Sequence, residues 1–220
     1  MEMDSCATIL QSLSVKHLFA TPLVISELPS DIVDGLNPLL KTLVLERAQS
    51  HASVHISNHG GWQSDDRIQE WGGEPVGILL NCIRQLLMQI TLYVEGSTFN
   101  RGNIDWQING WANVNRKNDL NIPHVHPGAY WSAVYYVAVD QSNDGPKGGE
   151  LELFDPRGSL PKMYCPILSM GIQGYTTAGN SEIHRPKTGQ CIVFPAWLAH
   201  SVKPYMGDET RISLAFNFSI

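Results

Sequence analysis

Two histidines one residue apart, His124 and His126, are the side chains best placed to do chemistry in this sequence; they stand in the run NIPHVHPGAYW. In extended backbone, residues i and i+2 point to the same side, so both imidazoles can reach one metal ion. A third, His200, is delivered by the apolar run CIVFPAWLAHSV from a distant part of the chain. Three imidazoles on one ion would leave coordination positions open for small ligands. Nitrogen-rich ligation suits iron, but also zinc, nickel or copper, so ligand type alone does not choose the metal. Eleven residues after His200 comes Arg211, with Ser213 two residues further on. A guanidinium fixed in a pocket is a bidentate clamp for a carboxylate. Plainer readings stand beside these: His200 as a core histidine bonded to backbone, and Arg211 as half of a buried salt bridge.

The elements that must position these residues are legible in part. In the C-terminal RISLAFNFSI, side chains alternate faces with period two. Arg211, Ser213, Ala215, Asn217 and Ser219 share one face, and Ile212, Leu214, Phe216, Phe218 and Ile220 share the other. The expectation is a polar face lining a pocket and an apolar face packed in a core. Further strands are expected at 104–115, 130–139, 149–154, 167–175 and 190–195, and the last at 211–219. Many short strands without intervening helical periods argue a β-sandwich or barrel. Upstream, residues 17–28 read as an extended entry segment and Pro29 to about Arg47 as a helix. There Leu36, Leu39, Leu40, Leu43 and Val44 form one stripe. The Gly-rich 56–73 reads as loop or short turns. A second helix is expected from about Glu74 to Val94, with Ile78, Cys82, Leu86 and Ile90 four apart and Leu79, Ile83 and Leu87 beside them. The chain is thus mainly β with N-terminal helices. It reads as one domain over 1–220, with a helical support region at 1–100 and a β core at 101–220.

Composition narrows the classes. With 15 basic and 21 acidic residues the net charge is -6, which argues against nonspecific binding to nucleic acid or anionic membrane. No apolar run is long enough to span a bilayer. The first residues lack the basic start of a signal peptide. Cys6, Cys82, Cys165 and Cys191 are widely spaced and form no CxxC pair, which disfavours a disulfide framework or structural zinc. A cytoplasmic protein is expected. The apolar stripe of 74–94 fits packing on the barrel or against a second copy.

Taken in order, SNHGGWQS at 57–64, GWANVN at 110–115, HVHPGAYWSAVYYV at 124–137, GGELELFDPR at 148–157, PKTGQCIVFPAWLAHSV at 186–202 and RISLAFNF at 211–218 resemble the 2-oxoglutarate/Fe(II) oxygenase superfamily. The closer resemblance is to a subfamily of small members. The resemblance implies a double-stranded β-helix, a jelly roll akin to the cupins. It implies Fe(II) as the metal, 2-oxoglutarate as cosubstrate and O2 as oxidant. His124 resembles the first metal histidine and His200 the distal one. Arg211 with Ser213 resembles the pair that grips the far carboxylate of 2-oxoglutarate. Tyr135, Asn113 and Asn115 are implied as lining for the cosubstrate pocket. The implied reaction is hydroxylation of a C–H bond in a small-molecule or peptide substrate. It is coupled to decarboxylation of 2-oxoglutarate to succinate and CO2.

One position departs from the superfamily pattern, which has a carboxylate two residues after the first histidine. His126 stands there. Three readings follow: His126 ligates, or Glu150, Glu152 or Asp155 supplies a carboxylate from another strand, or the site is a degenerate, non-catalytic binding module. A cupin-type three-histidine dioxygenase that uses no 2-oxoglutarate is a further alternative, against which Arg211 and Ser213 speak. Trp62, Trp71, Trp106 and Trp131 are candidates for packing substrate at a mouth built from 57–73, 97–109, 140–147 and 176–185. His184 and Arg185 could offer it positive charge.

Overall fold

The computed structural model describes residues 16, 18–94, 104–140, 147–158 and 179–220. Two antiparallel sheets face each other. Sheet A contains β1 (Val24–Glu27), β3 (Trp62–Gln63), β4 (Gln107–Asn115), β6 (Trp131–Ala138), β9 (Gln190–Pro195) and β11 (Arg211–Ser219), in the spatial order β1-β9-β6-β11-β4-β3. Sheet B contains β2 (Asn58–His59), β5 (Leu120–His124), β7 (Leu151–Phe154), β8 (Ser181–His184) and β10 (His200–Val202), in the order β2-β5-β10-β7-β8. Non-sequential neighbours within two facing sheets are the mark of a jelly roll, so the fold is a double-stranded β-helix with N-terminal helices.

The two longer helices cover the outer face of sheet A. In α1 (Ser30–Ser50) the buried residues Leu36, Leu40 and Val44 recur every fourth position and join the core. Leu39, placed on that stripe by spacing, is 55% exposed. After a short α2 (Ile68–Trp71), α3 (Gly73–Ile90) buries Val76, Leu79, Leu80, Ile83 and Leu87. The buried face is therefore the Leu79–Ile83–Leu87 line, and Ile78 lies half out of it. Both helices pack on Ala112, Val114, Tyr135, Val137, Ile212, Leu214, Phe216 and Phe218, the outward positions of β4, β6 and β11. A helix that buries an apolar stripe on a sheet is held by tertiary packing more than by propensity.

The expected helices and most expected strands are present, with ends shifted by a few residues. β11 spans 211–219 as its alternation indicates. The expected strand at 167–175 lies outside the described residues, as do parts of the mouth segments. Five strands were not legible as such. β5 contains Pro123, a strand breaker in most contexts. β8 and β10 are only 4 and 3 residues long, too short for a periodic signal. The 56–73 segment, read as loop, contributes β2 to sheet B and β3 to sheet A, and so helps to close both sheets.

Candidate active site

The inner face of sheet A follows from register. In β11, Arg211, Ser213, Ala215 and Asn217 pair with Asn115, Asn113, Trp111 and Asn109 of β4. On the other side, Ser213, Ala215 and Asn217 pair with Tyr136, Val134 and Ser132 of β6. These residues share one face, and the irregularity in the β6–β11 register falls just before Ser213. Apart from Asn109 and Asn115, that face lines a cavity together with His124, His126, His200, Asn121, Leu151, Phe194 and Val202. The polar face expected of β11 is thus the cavity wall.

At the middle of this cavity stand the three histidines. β5 and β10 pair with His200 directly opposite His124, and His126 follows just beyond the end of β5. One nitrogen from each lies within 4.8 Å of the others, and among the described residues this is the one His/Cys/Asp/Glu cluster with metal-binding spacing. His124 Nδ1 lies 2.7 Å from the Ile122 carbonyl, and His200 Nδ1 lies 2.8 Å from the Leu198 carbonyl. A carbonyl only accepts, so each Nδ1 carries the proton and each Nε2 keeps its lone pair. Burial holds all three imidazoles below the usual histidine range: His200 at about 3 and His126 at about 4, each helped by His124, and His124 lowered as well. Three neutral imidazoles, two of them held in one tautomer, are what a transition metal needs, so the donor set fits Fe(II).

The carboxylates considered as substitutes point elsewhere. Glu152 accepts from Ser181 and meets Ser201 and Lys203 on the outer side of sheet B. Asp155 is bound by Arg157 through two side-chain contacts of 2.9 Å. Glu150 pairs with Arg185 at 3.7 Å. The inward positions of β7 are Leu151 and Leu153.

The deep end of the cavity is Arg211, 2% exposed. Its Nη1 donates to Asn115 Oδ1 at 3.0 Å and approaches Ser213 Oγ at 3.4 Å, while its Nε has no partner. Among the described residues, no carboxylate forms an ion pair with it. Its guanidinium also lies 5.3 Å from the Tyr136 ring centre. Burial lowers the Arg211 pKa, opposed by Tyr136, Tyr205 and Glu150; arginine stays charged through such shifts. The Tyr136 hydroxyl and Asn113 Oδ1 are buried without partners beside it. Burial pushes Tyr136 up to about 12, so it is a neutral donor. Unpartnered buried polar groups are rare in native structures, and two unused donors together, the Arg211 Nε–H and the Tyr136 hydroxyl, mark a place for an anion; Asn113 Oδ1 is an acceptor and adds nothing to it.

Tyr135, expected in this pocket, is a correction. It sits one residue out of phase and faces the helices, where its hydroxyl donates to Asn37 Oδ1 at 2.7 Å. Asn37 in turn donates to the Val137 carbonyl at 2.9 Å. The pocket tyrosine is Tyr136, which stands opposite Ser213 in the β6–β11 ladder. The tryptophans also reassign. Trp62 and Trp71 donate to the His51 carbonyl and Asp65, Trp131 donates to Thr91, and Trp106 packs on Phe218. None of them lines the cavity. Trp111 does, with its ring centre 5.4 Å from that of His126. His184 is bonded to Gln190 and takes no part.

Comparison with known proteins agrees with this geometry. Residues 109–217 match the protein-family model described as "Putative 2OG-Fe(II) oxygenase". That stretch runs from the β4 wall to the end of the β11 wall and contains all three histidines and Arg211. No curated protein matches the sequence. Among solved structures, a Pseudomonas putida prolyl-4-hydroxylase aligns at 15% identity and TM-score 0.57, over 90% of this chain and 92% of that one. A Trichoplax adhaerens prolyl hydroxylase, solved with a hypoxia-inducible-factor peptide, aligns at 15% identity and TM-score 0.60, over 90% and 83%. HygX from Streptomyces hygroscopicus, solved with nickel and 2-oxoglutarate, aligns at 14% identity and TM-score 0.52, over 100% and 87%.

Proposed function

The chain belongs to the 2OG-Fe(II) oxygenase superfamily and is an enzyme of that class; from this we propose that His124, His126 and His200 hold Fe(II), and that Arg211 anchors 2-oxoglutarate. Use of Fe(II), 2-oxoglutarate and O2 is typical of the family. Bound together, they supply decarboxylation of 2-oxoglutarate to succinate and CO2, coupled to oxidation of a substrate C–H bond.

One observation carries the assignment to this chain: a single cavity holds three convergent imidazoles and, at its deep end, a buried guanidinium with no carboxylate partner among the described residues. The cosubstrate's far carboxylate is the missing anion. Arg211 and the Ser213 and Tyr136 hydroxyls donate to it, and Asn115 turns the guanidinium into place. A three-histidine dioxygenase without 2-oxoglutarate would have no use for this clamp. The primary substrate, a small molecule or a peptide, enters from the opposite end, past Trp111, Asn217 and Ser132. There the Ser132 hydroxyl donates to Asn217 Oδ1 at 2.8 Å, leaving the Asn217 amide nitrogen to meet substrate. Residues 101–220 form the catalytic core and 1–100 its support. The protein works in the cytoplasm, in keeping with its thiols Cys82 and Cys191, which are free. Among the described residues, no helix is long and apolar enough to cross a membrane.

The test is anaerobic addition of 2-oxoglutarate to the Fe(II)-loaded protein, followed by visible absorption. A metal-to-ligand charge-transfer band that is lost in Arg211→Ala supports the assignment. Stoichiometric iron with no band would overturn the cosubstrate.

A further inference from the structure

The three histidines are not held alike. His124 and His200 each donate Nδ1–H to the carbonyl two residues before them, at 2.7 and 2.8 Å. Such a bond fixes both the ring angle and the tautomer, and its loss in a metal site typically lowers affinity 10- to 100-fold. His200 is also 4% exposed, and Phe194 lies edge-on to it at 4.8 Å. His126 differs. Its backbone is fixed, since its N–H donates to the Ala196 carbonyl at 3.0 Å and its own carbonyl accepts from Ala129. Its ring, among the described residues, makes no hydrogen bond. Apart from the other two histidines, its one ring contact among the described residues is Trp111, at 5.4 Å and tilted by 56°. An aromatic contact restrains a ring weakly and specifies no tautomer. His126 is also the ligand that stands where the superfamily pattern has a carboxylate.

We propose that this metal centre is asymmetric: His124 and His200 carry the affinity, and His126 is a displaceable third ligand whose ring Trp111 sets toward the metal. This rests on the reading that one metal ion sits among the three imidazoles. Trp111 is then a positioning residue that acts through His126. With its wall removed, the His126 ring gains rotamer freedom, and ordering it on the metal becomes less favourable. A ligand that swings away opens one more coordination position at the Trp111 side, where substrate enters.

The experiment needs neither substrate nor 2-oxoglutarate. Affinity for Co(II) alone is measured by competition titration for wild type, His124→Ala, His126→Ala, His200→Ala, Trp111→Phe and Trp111→Ala. Paramagnetic resonance of the Cu(II)-loaded proteins counts the imidazole nitrogens on the metal. Circular dichroism confirms that each variant is folded; if His200→Ala is not, the partly exposed His124 supplies the comparison. The expected result is a loss of about 100-fold or more for His124→Ala and about 10-fold or less for His126→Ala. Trp111→Ala should shift the Cu(II) signal from three nitrogens toward two, and Trp111→Phe should keep three. Equal losses in His124→Ala and His126→Ala overturn the proposal, as does a wild-type nitrogen count in Trp111→Ala. Failure of the wild type to bind Co(II) or Cu(II) at all would instead overturn the parent assignment of the metal site.

Discussion

Arg211 and Asn115 face each other across the β4–β11 ladder, and the guanidinium donates to the Asn115 amide oxygen at 3.0 Å inside the protein. A neutral partner orients the cation without neutralising it, and so leaves its charge for a ligand. Hydrogen bonds to charged groups contribute about 1.5–3 kcal/mol. Asn115→Ala should therefore weaken 2-oxoglutarate binding by roughly 10-fold or more, and Arg211→Ala should weaken it further. Anaerobic calorimetry on the metal-loaded protein measures both. Wild-type affinity in Asn115→Ala would mean that Arg211 needs no orienting partner.

Adjacent tyrosines on β6 give a paired test. Tyr136 has a buried, unpartnered hydroxyl on the cavity side, whereas the Tyr135 hydroxyl is bonded to Asn37 on the helix side. Tyr136→Phe removes no internal hydrogen bond, so its melting temperature should be unchanged or raised. Its 2-oxoglutarate affinity should fall by roughly 5- to 10-fold, the worth of one neutral donor of about 1 kcal/mol. Tyr135→Phe should show the reverse: unchanged affinity, and a melting temperature lower by a few degrees for about 1–2 kcal/mol lost. A Tyr135→Phe variant with weakened cosubstrate binding would contradict the assignment of faces.

The same pair of tyrosines marks the reach of sequence alone. Period two alone puts His124 and His126 on one side of the chain and Arg211 with Ser213 on the polar face of β11, which is the cavity wall. Asn113 and Asn115 came from the resemblance alone, and of the two Asn113 lines the cavity while Asn115 is the hydrogen-bond partner of Arg211. Tyr135 was misread because a resemblance carries a residue type, and YY offers two candidates of opposite facing. Register against Ser213 decides between them, and register is a property of paired strands. Trp111 went unseen for a related reason: in GWANVN it is the apolar member of an otherwise polar face, with Asn113 and Asn115, so its apolar ring does not read as part of a polar pocket wall. His124 sits on a strand that its own Pro123 disguises. The non-local closures by β2, β3 and β10 involve 2 or 3 residues each, too few to show a period.

Gly149, two residues before β7, leaves room for the clamp. Its φ is +70°, and a Cβ there would lie 3.0 Å from Arg211 Cδ and 3.1 Å from its Nε. Left-handed backbone disfavours any side chain, and here the added methyl would also push on the guanidinium stem. Gly149→Ala should lower the melting temperature and weaken 2-oxoglutarate binding together. Gly148→Ala is the control: its φ is +67° and its Cβ would meet the Pro204 carbonyl, not Arg211. It should lower stability while the intrinsic affinity of the folded fraction holds. Equal effects of both on affinity would separate Gly149 from the clamp.

Asp155 reports on acid stability away from the site. Its carboxylate accepts from Arg157 Nε and Nη2 at 2.9 Å each, and from the backbone N–H of Gly179 and of Arg157. The Arg157 hydrogen bonds, against the opposing effect of burial and with help from the backbone donors, hold Asp155 at about 2, down from 3.8. A carboxylate depressed on folding binds protons more readily in the unfolded chain. The unfolded state therefore gains as pH falls, and the stabilisation is present above about pH 4 and lost on descent toward pH 2. Arg157 is 62% exposed, so solvent screens the ion pair and the increment is held to roughly 1 kcal/mol. Asp155→Asn keeps one acceptor but loses the charge. Its melting temperature should lie below wild type at pH 7, by about 2–4 °C for that increment. The gap should narrow between pH 4 and pH 2, where wild type itself becomes neutral at this position. A gap that stays constant across that range would assign the loss to packing and not to the charge of Asp155.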